Sequence, residues 1–95
     1  MTKALQNLKK QITPTLRKYS VGRSFIFGST ARGTAKKTSD VDLVVDLPKN
    51  ATLLTLISLQ QELEDRLGRS FDVTTSAALS PRLKKNIARD AVRVL

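Results

Sequence analysis

Asp40 and Asp42, separated by a single valine, open a segment that otherwise reads as an apolar strand, "DVDLVVDL". Side chains alternate across a strand, so the two carboxylates share one face, about 6.5 Å apart along the chain. Val41, Leu43, Val45 and Leu47 take the other face and can pack against helices. Adjacent carboxylates repel, and one holds a proton unless positive charge lies between them. A hard divalent cation such as Mg²⁺ supplies that charge and completes its shell with substrate phosphates. Two such ions, about 3.5–4 Å apart, can stabilise the attacking and leaving oxygens of a phosphoryl or nucleotidyl transfer.

Twelve positions earlier the chain reads Phe27-Gly28-Ser29. A strand that ends in glycine and enters a helical turn suits phosphate, because the backbone can approach closely and the first helical amides point at bound anions. Gly28 and Gly33 have the spacing that begins a P-loop, but Thr34-Ala35 stands where lysine and a hydroxyl residue are needed, which excludes that motif. A lone aspartate after Ser39 would read as a cap or turn. Two on one face, just after a phosphate-type turn, read as a metal site. A third carboxylate is available in "SFDVTT", where Asp72 lies between Phe71 and Val73; if this strand neighbours the second, Asp72 can meet Asp40 and Asp42 across the sheet. Asp46, next to Pro48, reads as a solvated strand-end charge.

These residues must be positioned by elements that the hydrophobic spacing outlines. Leu5, Leu8, Ile12, Leu16 and Tyr19 form one stripe of an amphipathic helix, with Pro14 predicting a kink or a second short helix capped by Thr13. "RSFIFG" is a short strand, and residues 29 to 39 read as a short helix and a loop. Asn50 can cap a helix whose face holds Leu53, Leu56, Ile57, Leu63 and Leu67 and which Gly68 closes. After the third strand, Ser80-Pro81 opens a helix with Leu83, Ile87 and Ala91 inward. The expected order is helix, strand, short helix, strand, helix, strand, helix. With no repeat and no linker, residues 1–95 are expected to form a single α/β (α+β) domain.

Composition narrows the partners. Seventeen basic residues against eight acidic give a net charge of +9, which favours nucleotides, nucleic acid or an acidic protein. The basic residues run from Lys3 to Arg93 without a dominant cluster, and the few aromatics show no base-stacking pattern, so nucleic acid is not expected as a direct partner. There is no cysteine for a disulfide or thiolate site, and the charged N-terminal segment disfavours secretion and membrane insertion. A cytoplasmic setting is expected.

Together the motifs resemble the nucleotidyltransferase superfamily that includes DNA polymerase β, in its minimal (MNT-type) branch that pairs with HEPN-domain proteins. Gly28-Ser29, ten residues, Asp40-Val41-Asp42, and Asp72 on a later strand reproduce the family motif, and Arg32-Gly33 and Ser39 match the branch's fuller form. Similarity runs from Phe25 through most of the chain; Thr74 stands where an apolar residue is expected. The resemblance implies a mixed sheet of about three strands flanked by helices. It implies transfer of a nucleoside monophosphate, with Asp40 and Asp42 binding two Mg²⁺ ions and Asp72 completing the second site and helping to deprotonate the attacking hydroxyl. Gly28 and Ser29 would hold the β- and γ-phosphates, with Ser39 also at the nucleotide. Arg32 would either neutralise phosphate charge or ion-pair with a nearby aspartate, and Lys36 and Lys37 read as solvated. In this branch the activity is that of an antitoxin moving AMP from ATP to a tyrosine of a HEPN ribonuclease toxin. An antitoxin acting by contact alone, and a transferase acting on RNA or a small molecule, are the competing readings.

Overall fold

The computed structural model describes residues 3–28, 31, 40–79, 81–82, 85 and 91–95. Helix α1 spans Lys3–Lys18, α2 Leu53–Leu67, and four strands follow as β1 Ser24–Phe27, β2 Val41–Val45, β3 Phe71–Thr75 and β4 Val92–Arg93, with a 3₁₀ turn at Ser76–Ala78. The sheet order is β3-β2-β1-β4. β1 pairs antiparallel with both β2 and β4, whereas β2 and β3 are parallel, the crossover being made by α2.

One face of this mixed sheet forms the core. Leu5, Leu8, Ile12 and Leu16 of α1 meet Leu59 and Leu63 of α2 over Ile26, Val41, Leu43, Val45, Phe71 and Val73. These strand residues alternate with the chain, so the even-spaced set of β2 is fully buried and the two helices cover it. Burying such side chains contributes about 1.5–3 kcal/mol each, enough to set the register of all three long strands. Among the described residues no helix is long and apolar enough to cross a membrane.

Several local expectations are corrected. Pro14 lies inside one continuous α1, and Thr13, expected as a cap, instead donates from Oγ1 to the Lys9 carbonyl at 2.7 Å. The apolar stripe is anchored on both sides of the proline by Leu8, Ile12 and Leu16, and this packing outweighs the one lost backbone bond. The helix ends at Ser20, whose φ is 59°: Ser20 N–H donates to Arg17 O and Val21 N–H to Leu16 O, the paired closure of a Schellman motif. Thr52, rather than Asn50, caps α2, its N–H donating to Thr55 Oγ1 at 3.1 Å. Asn50 is taken up by the turn that Ala51 N–H closes onto Pro48 O. Leu53 and Ile57, expected inward, are exposed, because at about 3.6 residues per turn the buried stripe runs through Leu59 and Leu63 with Leu56 and Leu67 beside it.

The chain's end also differs. Pro81, Arg82 and Lys85 are helical, but Ala91 is not, and Val92–Arg93 forms a fourth strand on the open edge of β1. The β-branched valines of "VRVL" pair with an edge that would otherwise present unpaired backbone. Leu83 and Ile87, expected on the inward face of that helix, lie outside the described residues.

Candidate active site

The carboxylates gather where β1 ends and β2 and β3 begin. β1 carries Phe27 to its last position, and Gly28 follows with φ 72°, a left-handed conformation that favours glycine. Register places Phe27 opposite Asp42 in the antiparallel pair, and Asp42 opposite Asp72 in the parallel pair. Paired strands lie about 4.8 Å apart, so the two aspartates are direct lateral neighbours. Asp40 is exposed immediately before β2, and the following Val41 N–H is held by Ser70 O at 2.9 Å. Asp42 is half-buried and Asp72 exposed.

Alternation puts Asp42 and Asp72 on the sheet face opposite the core cluster. The row Phe27–Asp42–Asp72 is followed on that face by the row Phe25–Val44–Thr74. Val44 is nearly fully buried although it does not join the core cluster, so this face is not simply solvated. Thr74 is half-buried beside Val44 and leaves the carboxylate row intact. Phe27, a member of the short strand "RSFIFG", flanks Asp42, and its position directly before Gly28 is the sequence signal for that placement.

Gly28 makes the tightest approach in the site. A Cβ built there would overlap Asp42 Oδ2 and stand 3.4 Å from Asp42 Cγ. The glycine at the end of β1 therefore leaves room for the Asp42 carboxylate, in addition to supplying the turn. Among the described residues no three His, Cys, Asp or Glu side chains converge to hold a metal ion. Asp40, Asp42 and Asp72 are thus backbone neighbours at one end of the sheet rather than a closed ligand cage. Ser29, Arg32, Gly33, Lys36, Lys37 and Ser39 lie outside the described residues.

Asp46 is a correction. It is no free strand-end charge: Oδ2 accepts from Arg23 Nε at 3.1 Å and Oδ1 from the Ser76 hydroxyl, while its N–H and carbonyl pair with Arg23 O and Gly22 N–H. It clasps the start of β1, the end of β2 and the end of β3. A groove of about 510 Å³ opens beside it, lined by Leu47, Leu53, Leu56 and Ala77, at the opposite end of β2 from Asp40.

Residues 10–95 match the family model described as "Polymerase beta, Nucleotidyltransferase". The chain is 43% identical over 91 residues to the Methanocaldococcus jannaschii protein named "Putative protein adenylyltransferase MJ0435", covering 96% of this chain and 98% of that one. The solved structure of a "putative minimal nucleotidyltransferase" is 32% identical with a TM-score of 0.82, covering 95% of this chain and 92% of the other. Two further solved structures share the fold. A toxin–antitoxin with AMP-PNP has a TM-score of 0.81 at 21% identity, with 92% and 72% of the chains covered. A tri-AMPylated Shewanella oneidensis HEPN toxin in complex with MNT antitoxin has a TM-score of 0.76 at 18% identity, with 96% and 71% covered. With the family model spanning nearly the whole chain and a relative 43% identical along almost its full length, this chain belongs to the polymerase β nucleotidyltransferase family and is a nucleotidyltransferase.

Proposed function

We propose that this chain is an antitoxin that transfers AMP from ATP to a tyrosine of a partner HEPN ribonuclease toxin. The observation that carries the reading is the row in which Gly28 backs onto the Asp42 carboxylate and Asp42 stands beside Asp72 across the parallel pair. The name of the Methanocaldococcus relative and the toxin complexes that share the fold support the acceptor class.

The donors fit Mg²⁺ in type and place: all are carboxylate oxygens, on the side of the sheet away from the core, next to a glycine that leaves their space open. Asp40 and Asp42 would hold the ions, and Asp72 would complete the second site. When bound, Mg²⁺ would offset the charge that builds on the triphosphate as the bond breaks. The Gly28 and Ser29 backbone would seat the β- and γ-phosphates, with the Ser29 hydroxyl, Arg32 and Ser39 at the nucleotide. The tyrosine oxygen attacks the α-phosphorus, the bond from α-phosphorus to the bridging oxygen breaks, and pyrophosphate leaves. Asp72, the exposed carboxylate of the row, accepts the phenolic proton.

The test is incubation with ATP labelled at the α-phosphate, Mg²⁺ and the product of the neighbouring gene, followed by mass spectrometry. A tyrosine adduct of AMP on that partner supports the reading. Tight complex formation with no adduct, while nucleotide binds, would leave an antitoxin acting by contact. Label on RNA or a small molecule would replace the acceptor altogether.

A further inference from the structure

Helix α1 has a second ordered face. It carries Lys3, Lys9, Lys10, Arg17 and Lys18 and no acidic residue. Leu5, Leu8, Ile12 and Leu16 fix which side is buried. At about 3.6 residues per turn, positions seven apart nearly superpose, so Lys3, Lys10 and Arg17 form a seam diametrically opposite the buried stripe. All three are exposed, with Gln6, Asn7 and Pro14 beside them. The helix is continuous through Pro14, so Lys3, Lys10 and Arg17 belong to one element, with a rise of about 10.5 Å between successive positions at about 1.5 Å per residue. The ion pairs made by Lys18, Arg23 and Arg66 do not draw on the seam. Because α1 covers the core face of the sheet, the seam lies on the other side of the molecule from Asp42 and Asp72.

We propose that this seam is a nucleic-acid-binding surface that grips the phosphodiester backbone without reading sequence. This departs from the expectation drawn from dispersed charge, because residues scattered along the sequence are gathered onto one line by the helix. The side-chain inventory chooses the partner class. Protein interfaces are depleted in lysine at their centre and depend on apolar or aromatic anchors. The seam offers cations and amide donors with no large apolar side chain, and among the described residues the exposed large hydrophobics, Leu53, Leu54 and Ile57, are on α2. Cations and amides without apolar anchors are the groups that contact phosphates. The surface is separate from the nucleotidyl-transfer site and does not depend on it.

The test is fluorescence anisotropy of the purified chain with labelled single-stranded RNA and duplex DNA of arbitrary sequence, across a salt series. Three phosphate contacts give a log–log slope of about −2.7 on duplex and about −2.1 on single strands, so duplex affinity falls about 40-fold between about 50 and about 200 mM salt. Lys3→Gln/Lys10→Gln/Arg17→Gln should bind at least about tenfold more weakly at about 50 mM and flatten the slope towards zero. A charge-matched variant with Lys49→Gln, Arg82→Gln and Lys85→Gln should keep most of the affinity. Circular dichroism establishes that both remain folded. Equal losses in the two variants would reduce the effect to net charge and overturn the proposal. So would an unchanged seam variant, absence of binding at about 50 mM, or equal binding to a labelled polyglutamate.

Discussion

Gly28 and Asp42 are in such close apposition that a single added carbon on the glycine would occupy the space of the aspartate's Oδ2. Two independent constraints meet there, the left-handed backbone of Gly28 and the carboxylate behind it.

Gly28→Ala is therefore expected to lower stability by about 1–3 kcal/mol and to abolish transfer. The two causes separate in a cycle. Asp42 Cβ would stand 3.7 Å from the new methyl, an ordinary contact, so Asp42→Ala removes the clash but leaves the backbone cost. The double variant should recover about 1 kcal/mol of stability beyond additivity while remaining inactive. Chemical denaturation of the four proteins measures this; strict additivity would mean that Asp42 turns away at no cost.

Asp42→Asn and Asp72→Asn each remove one of two like charges that stand directly opposite across β2 and β3. Without Mg²⁺ Asp72→Asn, whose side chain is exposed, should melt at or slightly above wild type, a gain of about 0.2–1 kcal/mol. Both variants should lower transfer by about 100-fold or more, a loss of about 2.7 kcal/mol or more of transition-state stabilisation. Melts with and without Mg²⁺ add a readout independent of activity: the wild type should gain stability from the ion and the variants should not.

Asp46 should behave oppositely. Asp46→Ala removes the acceptor shared by Arg23 and Ser76, with an expected cost of about 1 kcal/mol, given the partial exposure of the pair. Asp46 lies about 13 Å along the strand from Asp42, so transfer per folded molecule should be unchanged. A drop in turnover at full folding would assign Asp46 a role at the site.

Ser20→Gly should stabilise the protein by up to about 1 kcal/mol, since serine occupies the left-handed closing position of α1 where glycine carries no Cβ penalty. Thermal melting at neutral pH is sufficient; a destabilised variant would mean that the Ser20 side chain contributes to the turn.

Glu62 ties α1 to α2. Its Oε1 accepts from Lys18 Nζ at 2.8 Å and Tyr19 OH at 3.3 Å, and Oε2 pairs with Arg66 Nε at 3.2 Å. The Lys18 ammonium, bonded to the carboxylate, holds the Glu62 carboxyl below its usual range, with desolvation opposing the shift. A depressed carboxyl pKa means that the unfolded chain binds the proton more tightly, so this stabilisation is present above the ordinary carboxylate value and lost as pH falls through the folded-state value. Glu62→Gln should melt below wild type at neutral pH, with the gap closing in acid. A gap constant from neutral pH down to about pH 3 would show that the charge contributes nothing.

The division between chain and fold runs through these same residues. Gly28, Asp40, Asp42 and Asp72 were legible in one dimension because their signal is local: a glycine at a strand end, two carboxylates at strand spacing, and a third in another short strand. The helix and strand positions followed from apolar periods, which local backbone geometry dictates. What local spacing could not contain was the pairing of those pieces. That Asp42 faces Asp72 depends on β2 and β3 lying parallel, a register set by burying Val41, Leu43, Phe71 and Val73 under two helices. Asp46 read as solvent-exposed because its partners, Arg23 and Ser76, are 23 and 30 residues away. Val92–Arg93 became a strand because the edge of β1, far off in the sequence, was there to pair with it. The basic seam of α1 needed only one continuous helix, yet Pro14 hid that until packing on both sides of it carried the helix through.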